Sequence, residues 1–344
     1  VYKNIFHASI TPDFMYTRLL TSFPLDGEQK DLYTVPDATV TLFRVPDDIK
    51  LLYHVSPIEF TLTEDEYTLL DLARNVMREH KPREEEFLEP ARMRRTFFQI
   101  GKDLIQELAD HRGFSLDYTR LDLLARILVR YTVGFGLIEV LMQDQQVQDI
   151  VINSPVGGSP IFIVHQEYGE CVTNITPSRE DAEGWATKFR LLSGRPLDEA
   201  NPVLDTELLV PGARGRVAIM TNPLSPTGLA YAIRRHRDKP WTLPLFMDNK
   251  MISPLGAGLL SFLVDGARTL LVAGTRSSGK TSLLGALMVE IMRKYRVVTI
   301  EDTLEMPVDY LRSIGYNIQH MKVRSALTSG GIEVSADEGI RTSL

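Results

Sequence analysis

Apolar positions in the first 140 residues change from strand spacing to helical spacing. Alternation over residues 38–45 and an apolar run over residues 51–55 predict two strands. Thr63 and Glu66 then have the spacing of a capping box, and apolar side chains follow every three or four positions until Lys81-Pro82. We therefore predict a mixed and helical N-terminal domain over residues 1–140. Two further helices are predicted over residues 92–111 and 121–133. Helical spacing resumes after Gly134 and Gly136 and continues to residue 142.

The pattern changes again at Asp149. Short apolar runs are separated by Ser-Pro, Gly-Gly and Tyr-Gly pairs, which is typical of an antiparallel meander. Ser178 and Asp181 have the spacing of a helix N-terminus, and the helix is predicted to continue to about residue 192. We predict an α+β domain over residues 141–237. Its strands are expected over residues 150–153, 161–165, 170–174, 208–210, 216–220 and 229–234.

Two prolines within five residues, Pro240 and Pro244, predict a linker over residues 238–244, because proline resists both helix interiors and central strands. Helical and apolar runs alternate beyond it, which is typical of a parallel sheet. The third domain is therefore predicted over residues 245–344, and the chain as a whole is a multidomain α/β and α+β protein. The predicted elements are helices over 255–264 and 281–294 and buried strands over 269–273 and 296–300.

Composition narrows the class of protein. The 344 residues are 44% hydrophobic and 24% charged, which is ordinary for a globular chain and excludes a disordered one. A formal net charge of −7 argues against a nucleic-acid partner. No apolar run approaches the ~20 residues of a membrane-spanning helix. The single cysteine, Cys171, cannot form an internal disulfide, which favours a reducing, cytoplasmic compartment.

One short segment carries the strongest chemical signal. Residues 274–281 match the phosphate-loop pattern of two glycines, a lysine and a hydroxyl residue, between a predicted strand and a predicted helix. Such a loop wraps a polyphosphate with backbone N–H groups; Lys280 would neutralise the terminal phosphates of ATP and Thr281 would bind Mg²⁺. The candidate nucleotide-binding residues are Gly274, Thr275, Arg276, Ser277, Ser278, Gly279, Lys280 and Thr281.

Acidic residues follow the next predicted strand. Glu301 and Asp302 end it, and Glu305 comes three residues later. Carboxylates at this end of a parallel strand lie where the phosphates and metal of a nucleotide would be. Glu301 is a candidate for orienting water, while Asp302 or Glu305 would hold a metal-bound water, and Thr281 and Glu301 are the candidate Mg²⁺ ligands. The same pattern fits a solvated turn before Pro307.

Basic residues cluster before the linker. Guanidinium groups offered to a phosphate assist phosphoryl transfer, and ordinary surface arginines are the competing interpretation. The seven histidines of the chain show no metal-ligand spacing and are interpreted as surface or core residues. The clustered arginines are Arg214, Arg216, Arg234, Arg235 and Arg237.

Five blocks in order give the chain its resemblance to a known family. It resembles the archaeal and tight-adherence branch of the type II/type IV secretion ATPases, the GspE-like motors of secretion systems and pili. The resemblance covers about residues 120–344. The blocks are residues 131–153, 194–205, 214–223, 229–243 and 299–307, the last similar to the aspartate box of that family.

The resemblance implies a homo-hexameric ATPase using ATP and Mg²⁺, peripheral on the cytoplasmic face of a polytopic membrane platform protein. It would power protein secretion or assembly of a pilus-type or archaellum-type filament. A PAS-like domain and a RecA-like domain would close around nucleotide, and Arg216 and Arg234 occupy blocks whose arginines reach the triphosphate. The Walker B strand and histidine box of the family would lie beyond Leu344, so the isolated chain is expected to hydrolyse little ATP.

Two other functions remain compatible with the residues. A small-molecule kinase could use the same phosphate loop, and would transfer phosphate to an added metabolite without needing to oligomerise. A nucleotide-gated scaffold would bind ATP to assemble and would hydrolyse little of it.

Overall fold

The computed structural model describes residues 17–46, 48–79, 90–237, 239–275, 278–323, 334, 337–338 and 341. The chain forms two compact units, Val1–Arg235 and His236–Leu344. The boundary predicted after residue 140 lies inside the first unit, while the division between the units falls just before the predicted linker. A long mixed sheet crosses residue 140, and this is why the two sides of that boundary belong to one unit.

The first unit contains the predicted strands and helices, together with strands over residues 18–19, 28–35 and 175–176 that the sequence does not predict. The strands are β1 (Arg18–Leu19), β2 (Glu28–Val35), β3 (Ala38–Arg44), β4 (Leu51–Pro57), β5 (Val147–Ile152), β6 (Phe162–His165), β7 (Gly169–Thr173), β8 (Ile175–Thr176), β9 (Val203–Val210), β10 (Ala213–Met220) and β11 (Ala230–Arg235). The helices are a short 3₁₀ turn (Ile58–Thr61), α1 (Glu64–Glu79), α2 (Pro90–Arg112), α3 (Tyr118–Thr132), α4 (Leu137–Gln143) and α5 (Arg179–Ser193).

Local signals placed several of these helices correctly. The backbone N–H of Thr63 donates to Glu66 Oε2 at 2.7 Å and the N–H of Glu66 donates to Thr63 Oγ1 at 3.4 Å, which confirms the capping box. Ser178 Oγ accepts from the N–H of Asp181 at 3.0 Å and caps α5. The predicted end of α1 at Lys81-Pro82 lies outside the described residues.

Among the described residues, nine strands form one mixed sheet in the order β2-β3-β4-β7-β6-β5-β11-β10-β9. All neighbours are antiparallel except β4 and β7, which pair in parallel over Leu51–Tyr53. Where β7 ends, the side chain of Asn174 continues the pairing, because its Oδ1 accepts from the N–H of Val55 and its Nδ2 donates to the Val55 carbonyl, both at 2.9 Å. The meander predicted for β5, β6 and β7 is confirmed.

One face of the sheet packs against the helices. In β10, the buried positions alternate with half-buried ones, and Val217 and Ile219 are fully buried on the helix side. They belong to one apolar core with residues of α3 and α4 such as Leu124 and Ile138. The other face of β10 and β11 is partly exposed, and Arg216 and Arg234 lie on it beside smaller side chains such as Ala218 and Ala232.

A buried polar network connects the two halves of the sheet. Tyr33 of β2 and Tyr53 of β4 both donate to Asp144 Oδ2 at 2.7 Å, and Tyr33 Oη lies 3.1 Å from Nε2 of His165 in β6. The single Tyr33 hydroxyl proton goes to Asp144, so His165 must donate through Nε2–H. Its Nδ1 accepts the N–H groups of Glu167 and Tyr168 at 3.2 and 3.3 Å.

The second unit is built around one helix. Its elements are α6 (Leu243–Asp248), α7 (Pro254–Asp265), α8 (Lys280–Glu290), β12 (Arg296–Glu301), α9 (Val308–Ser313) and β13 (Asn317–Lys322). Ala286 and Leu287 of α8 pack with α6 and α7, while Met288 packs with α9 and β13. α8 is therefore held by two separate apolar clusters.

Three predictions for this unit differ from the structure. Residues 269–273, predicted as a buried strand, are mostly exposed and form no strand, because no described residue pairs with their backbone and a strand needs such a partner. The helix predicted to residue 294 ends at Glu290. Pro244, placed in the linker, instead lies in the first turn of α6 behind the cap of Thr242, a position where proline costs no hydrogen bond.

The sequence predicts parallel strands over residues 269–273 and 296–300, but the parallel partner of the second of these is the strand that follows it. β12 and β13 pair in parallel and are joined through α9. The coarse class, a mixed α/β chain with a large mixed sheet, is confirmed. No helix in the described part of the chain has both the length and the apolarity to cross a membrane.

We expect Asp144→Ala to lower the free energy of unfolding by about 3 kcal/mol, because it leaves two buried tyrosine hydroxyls without their charged acceptor. Urea denaturation of the variant and of Asp48→Ala, which removes an exposed carboxylate, measures the difference. A loss below about 1 kcal/mol for Asp144→Ala would show that the network adds little to stability.

His165 gives the fold a pH dependence. Burial lowers the pKa of its imidazole below the ordinary value of about 6.5. The unfolded chain therefore binds a proton that the folded chain does not, so stability falls as pH drops below about 6.5. We expect His165→Gln to lose less stability than the wild type between about pH 7.5 and pH 5.5. Urea midpoints at both pH values test this, with the exposed His111→Gln as control; equal losses would contradict it.

Candidate functional site

The phosphate-loop segment ends in the helix that the sequence predicted. α8 begins at Lys280, and the preceding Gly279 has a φ of +83°, a left-handed conformation that favours glycine. Among the described residues, no side chain caps this helix N-terminus. Its first N–H groups are therefore available to an anion, and the helix dipole adds a favourable field there.

The loop before α8 is closely folded on itself. Lys280 Nζ donates to the carbonyl of Thr275 at 2.6 Å, and the N–H of Ser278 lies 3.4 Å from the same oxygen. A Cβ added at Gly274 would be 2.5 Å from Ser278 Oγ, so a larger residue there would displace the Ser278 hydroxyl. Thr281 is exposed at the helix start. The predicted loop residues Arg276 and Ser277 lie outside the described residues.

These features fit a nucleotide phosphate. A glycine pair that permits close approach, an uncapped helix N-terminus and a lysine folded over the loop supply N–H donors and positive charge to one small region. Thr281 offers the hydroxyl that a phosphate-bound Mg²⁺ requires. The donor set is therefore suited to a magnesium–nucleotide complex.

The acidic segment forms a tight turn at the end of β12. Glu301 Oε2 accepts from the backbone N–H groups of Glu305 and Met306 at 2.8 and 3.0 Å. Its other oxygen, Oε1, lies 2.8 Å from Nε2 of His320 in β13. Asp302 is exposed and its Oδ1 accepts from the N–H of Thr303 at 2.8 Å.

The turn and α8 belong to one cluster. Met306, at the end of the turn, is 3% exposed, and its sulfur lies 3.8 Å from where a Cβ of Gly285 would be. This contact brings the acidic segment against the helix that Lys280 starts. The structure records no direct contact between Thr281 and Glu301, and no described set of three His, Cys, Asp or Glu side chains forms a metal-sized group.

Two of the clustered arginines are direct neighbours. Arg216 of β10 is paired in register with Arg234 of β11, on the exposed face of the sheet. Arg216 Nε donates to Asp205 Oδ1 at 2.8 Å, and Arg234 Nε donates to Asp149 Oδ1 at 2.7 Å. The adjacent pair therefore carries both guanidinium groups on one surface, each with a carboxylate partner.

Arg214 lies two residues before Arg216 on the same face of β10, whereas the other two arginines lie elsewhere. Arg235 is buried on the opposite face and its Nε donates to the Met142 carbonyl at 2.7 Å, which is a structural contact. Arg237 lies over the ring of Trp241, 4.9 Å from its centroid.

His320 is the residue that sequence reasoning missed. The sequence shows no metal-ligand spacing around this histidine and does not predict the strand, β13, in which it lies. Its contact with Glu301 depends on the parallel register of β12 and β13, in which Thr299 is opposite His320. Only a prediction of that register would have placed the two side chains on the same face.

A family comparison identifies the class of protein. The model described as "Type II/IV secretion system protein" matches residues 168–343, just over half of the chain and the part that contains the arginine pair, the phosphate loop and the acidic turn. The chain belongs to the type II/IV secretion system protein family.

Curated relatives match part of the chain at less than 30% identity. A protein of Methanocaldococcus jannaschii is 29% identical over 203 residues, which are 57% of this chain and 27% of the relative. The conjugal transfer protein TrbB of Rhizobium radiobacter is 26% identical over 48% of this chain and 50% of its own length. The type IV secretion system protein PtlH of Bordetella pertussis is 29% identical over 46% and 51%. The chain spans between about a quarter and a half of these relatives.

Two solved structures are similar at a lower level. The VirB11 ATPase of the Brucella suis type IV secretion system, in complex with sulphate, has 22% identity and a TM-score of 0.28, covering 55% of this chain and 61% of that one. The Legionella pneumophila ATPase DotB has 17% identity and a TM-score of 0.38, covering 60% and 54%. Both scores are below 0.5, so neither structure decides the fold or the site of this chain.

Proposed function

We propose that this protein binds and hydrolyses ATP as a motor of a secretion or filament-assembly system. The observation that carries the proposal is the phosphate loop, with Gly279 in a left-handed conformation before an uncapped helix and Lys280 folded over the loop. Membership in the type II/IV secretion family supports the assignment of that nucleotide site to protein transport.

Each residue of the site has its own role in the proposed binding and hydrolysis of ATP. Backbone N–H groups at the start of α8 bind phosphate oxygens, and Lys280 neutralises charge on the terminal phosphates. Mg²⁺ held by Thr281 would neutralise the remaining phosphate charge. We propose that Asp302 or Glu305 holds a metal-bound water; Asp302 is exposed, and its Oδ1 accepts from the N–H of Thr303. Glu301 orients the attacking water.

The proposed role of Glu301 follows from its contacts. Three donors already surround its carboxylate, two of them backbone N–H groups. A carboxylate fixed in this way is better suited to orienting a water molecule than to reorganising around a metal ion. These contacts therefore favour the proposal that Glu301 orients the attacking water. Direct ligation of Mg²⁺ is the alternative role for this residue.

We further propose the setting that the family resemblance implies. The protein would form a homo-hexamer at the cytoplasmic face of a membrane and act on a polytopic platform protein, with a PAS-like domain ahead of a RecA-like domain. The printed names of TrbB and PtlH, a conjugal transfer protein and a type IV secretion system protein, support a transport role. Arg216 and Arg234 would stabilise a nucleotide bound by a neighbouring subunit.

Lys280→Ala tests the nucleotide site. Losing a charge-assisted contact typically costs about 1.5–3 kcal/mol, so we expect ATP affinity to fall at least about tenfold while the protein stays folded. Calorimetric titration with magnesium–ATP measures the affinity, and thermal unfolding checks the fold. Lys294→Ala, which removes an exposed lysine of the same unit, is the matched control. Equal affinity for wild type and Lys280→Ala would exclude this site, and binding without turnover by the full-length protein would favour the scaffold.

Arg216→Ala and Arg234→Ala separate catalysis from folding. Their side chains are 38% and 47% exposed, and exposed ion pairs contribute about 0–1 kcal/mol, so both variants should stay folded and keep their ATP affinity. Turnover by the assembled full-length protein should fall at least about tenfold. Arg190→Ala, which removes an exposed arginine of α5, should turn over normally. Normal turnover by Arg216→Ala and Arg234→Ala would leave both as ordinary surface arginines.

A further inference from the structure

We propose that His320 is a positioning residue for Glu301, which holds the acidic turn in place against the phosphate-loop helix. Its effect on hydrolysis rests on the proposed function. Its effect on the turn is a property of the folded chain and can be measured without nucleotide.

The parallel register brings the two side chains together. Thr299 of β12 is opposite His320 of β13, and Glu301 lies two residues further along the same strand, on the same face. His320 Nε2 lies 2.8 Å from Glu301 Oε1. An ionised carboxylate only accepts hydrogen bonds, so Nε2 carries the proton of this bond.

Little water reaches this contact. The side chains of His320 and Glu301 are 14% and 13% exposed. A hydrogen bond to a charged group is worth more where water competes less for it. The imidazole is also the only described side chain that the structure records on Glu301 Oε1, so the orientation of this oxygen depends on it.

The opposite oxygen ties the carboxylate to the turn. Glu301 Oε2 accepts the N–H groups of both Glu305 and Met306. The carboxylate is thus a bridge, with a side chain of β13 on one oxygen and the backbone of the turn on the other. Removing the imidazole leaves Oε2 bonded to the turn but releases Oε1, so the turn loses this hydrogen-bonded connection to β13.

The turn passes this constraint on to α8. Met306 follows directly from the bridged backbone and packs beside Gly285, five residues after Lys280. Tyr316, directly before β13, donates its hydroxyl to the Val289 carbonyl near the end of α8. β13 therefore contacts the acidic turn through His320, and the residue that leads into β13 contacts the phosphate-loop helix, so this strand and the residue before it connect both parts of the site.

The experiment compares His320→Ala with His320→Gln in the full-length protein. The glutamine amide can donate to Glu301 from nearly the same position as Nε2, whereas alanine cannot. Gln319→Ala, which changes an exposed side chain of the same strand, is the matched control. Hydrogen exchange of the amides of residues 305 and 306 without nucleotide is the first measurement, and kcat and KM for ATP are the second.

We expect His320→Ala to speed exchange at residues 305 and 306 about tenfold and to lower kcat about tenfold, with KM for ATP within about twofold of wild type. His320→Gln should restore both quantities, and Gln319→Ala should change neither. A purely structural role would instead lower stability without this separation of kcat from KM.

Two results would overturn the proposal. Wild-type exchange in His320→Ala would show that the imidazole does not hold the turn. Faster exchange with unchanged kcat would show that the turn needs no such positioning for hydrolysis. A wild-type protein without ATPase activity would overturn the proposed function instead, and the exchange of His320→Ala and His320→Gln would then decide the role of His320 in the turn alone.

Discussion

The large sheet depends on a junction of three residue pairs and one asparagine side chain. β4 and β7 come from parts of the chain more than a hundred residues apart, and they meet in parallel over Leu51–Tyr53. Asn174 lengthens that junction with two bonds to the backbone of Val55. The Asp144 network spans the same division, since its tyrosines come from β2 and β4 and its histidine from β6. The strands that carry the arginine pair are positioned through this junction.

The second unit is organised around α8 instead. Its N-terminus presents the phosphate loop, while its middle is held between α6 and α7 on one side and the acidic turn, α9 and β13 on the other. The described loop residues Gly274, Thr275 and Ser278 are exposed, whereas the helix that follows them is packed on two sides within its unit. A binding site for a charged ligand needs this combination, because the ligand must reach open backbone N–H groups whose direction is already fixed.

Features that depend on neighbouring residues could be predicted from the sequence. The caps at Thr63 and Ser178 and the start of α8 at Lys280 follow from side chains within four positions of one another. Features that depend on distant partners could not. The apolar run at 269–273 has strand composition, yet composition supplies no partner strand. The His320–Glu301 contact and the pairing of β4 with β7 depend on register between strands, and neither leaves a local pattern.

The carboxylates beside Arg216 and Arg234 determine how much negative charge an anion needs in order to bind these arginines. In the row across β9, β10, β11 and β5, Glu207, Arg216, Arg234 and Asp149 lie opposite one another, and Asp205 pairs with Arg216, so three acids surround two bases and the group carries a formal charge of −1. An incoming anion must replace a partner that is already in place, and the exchange is favourable only when it offers more negative charge than one carboxylate. A polyphosphate carries more negative charge than one carboxylate, whereas a monovalent anion does not. Asp205 and Asp149 would thus make the arginine pair favour ligands of higher charge.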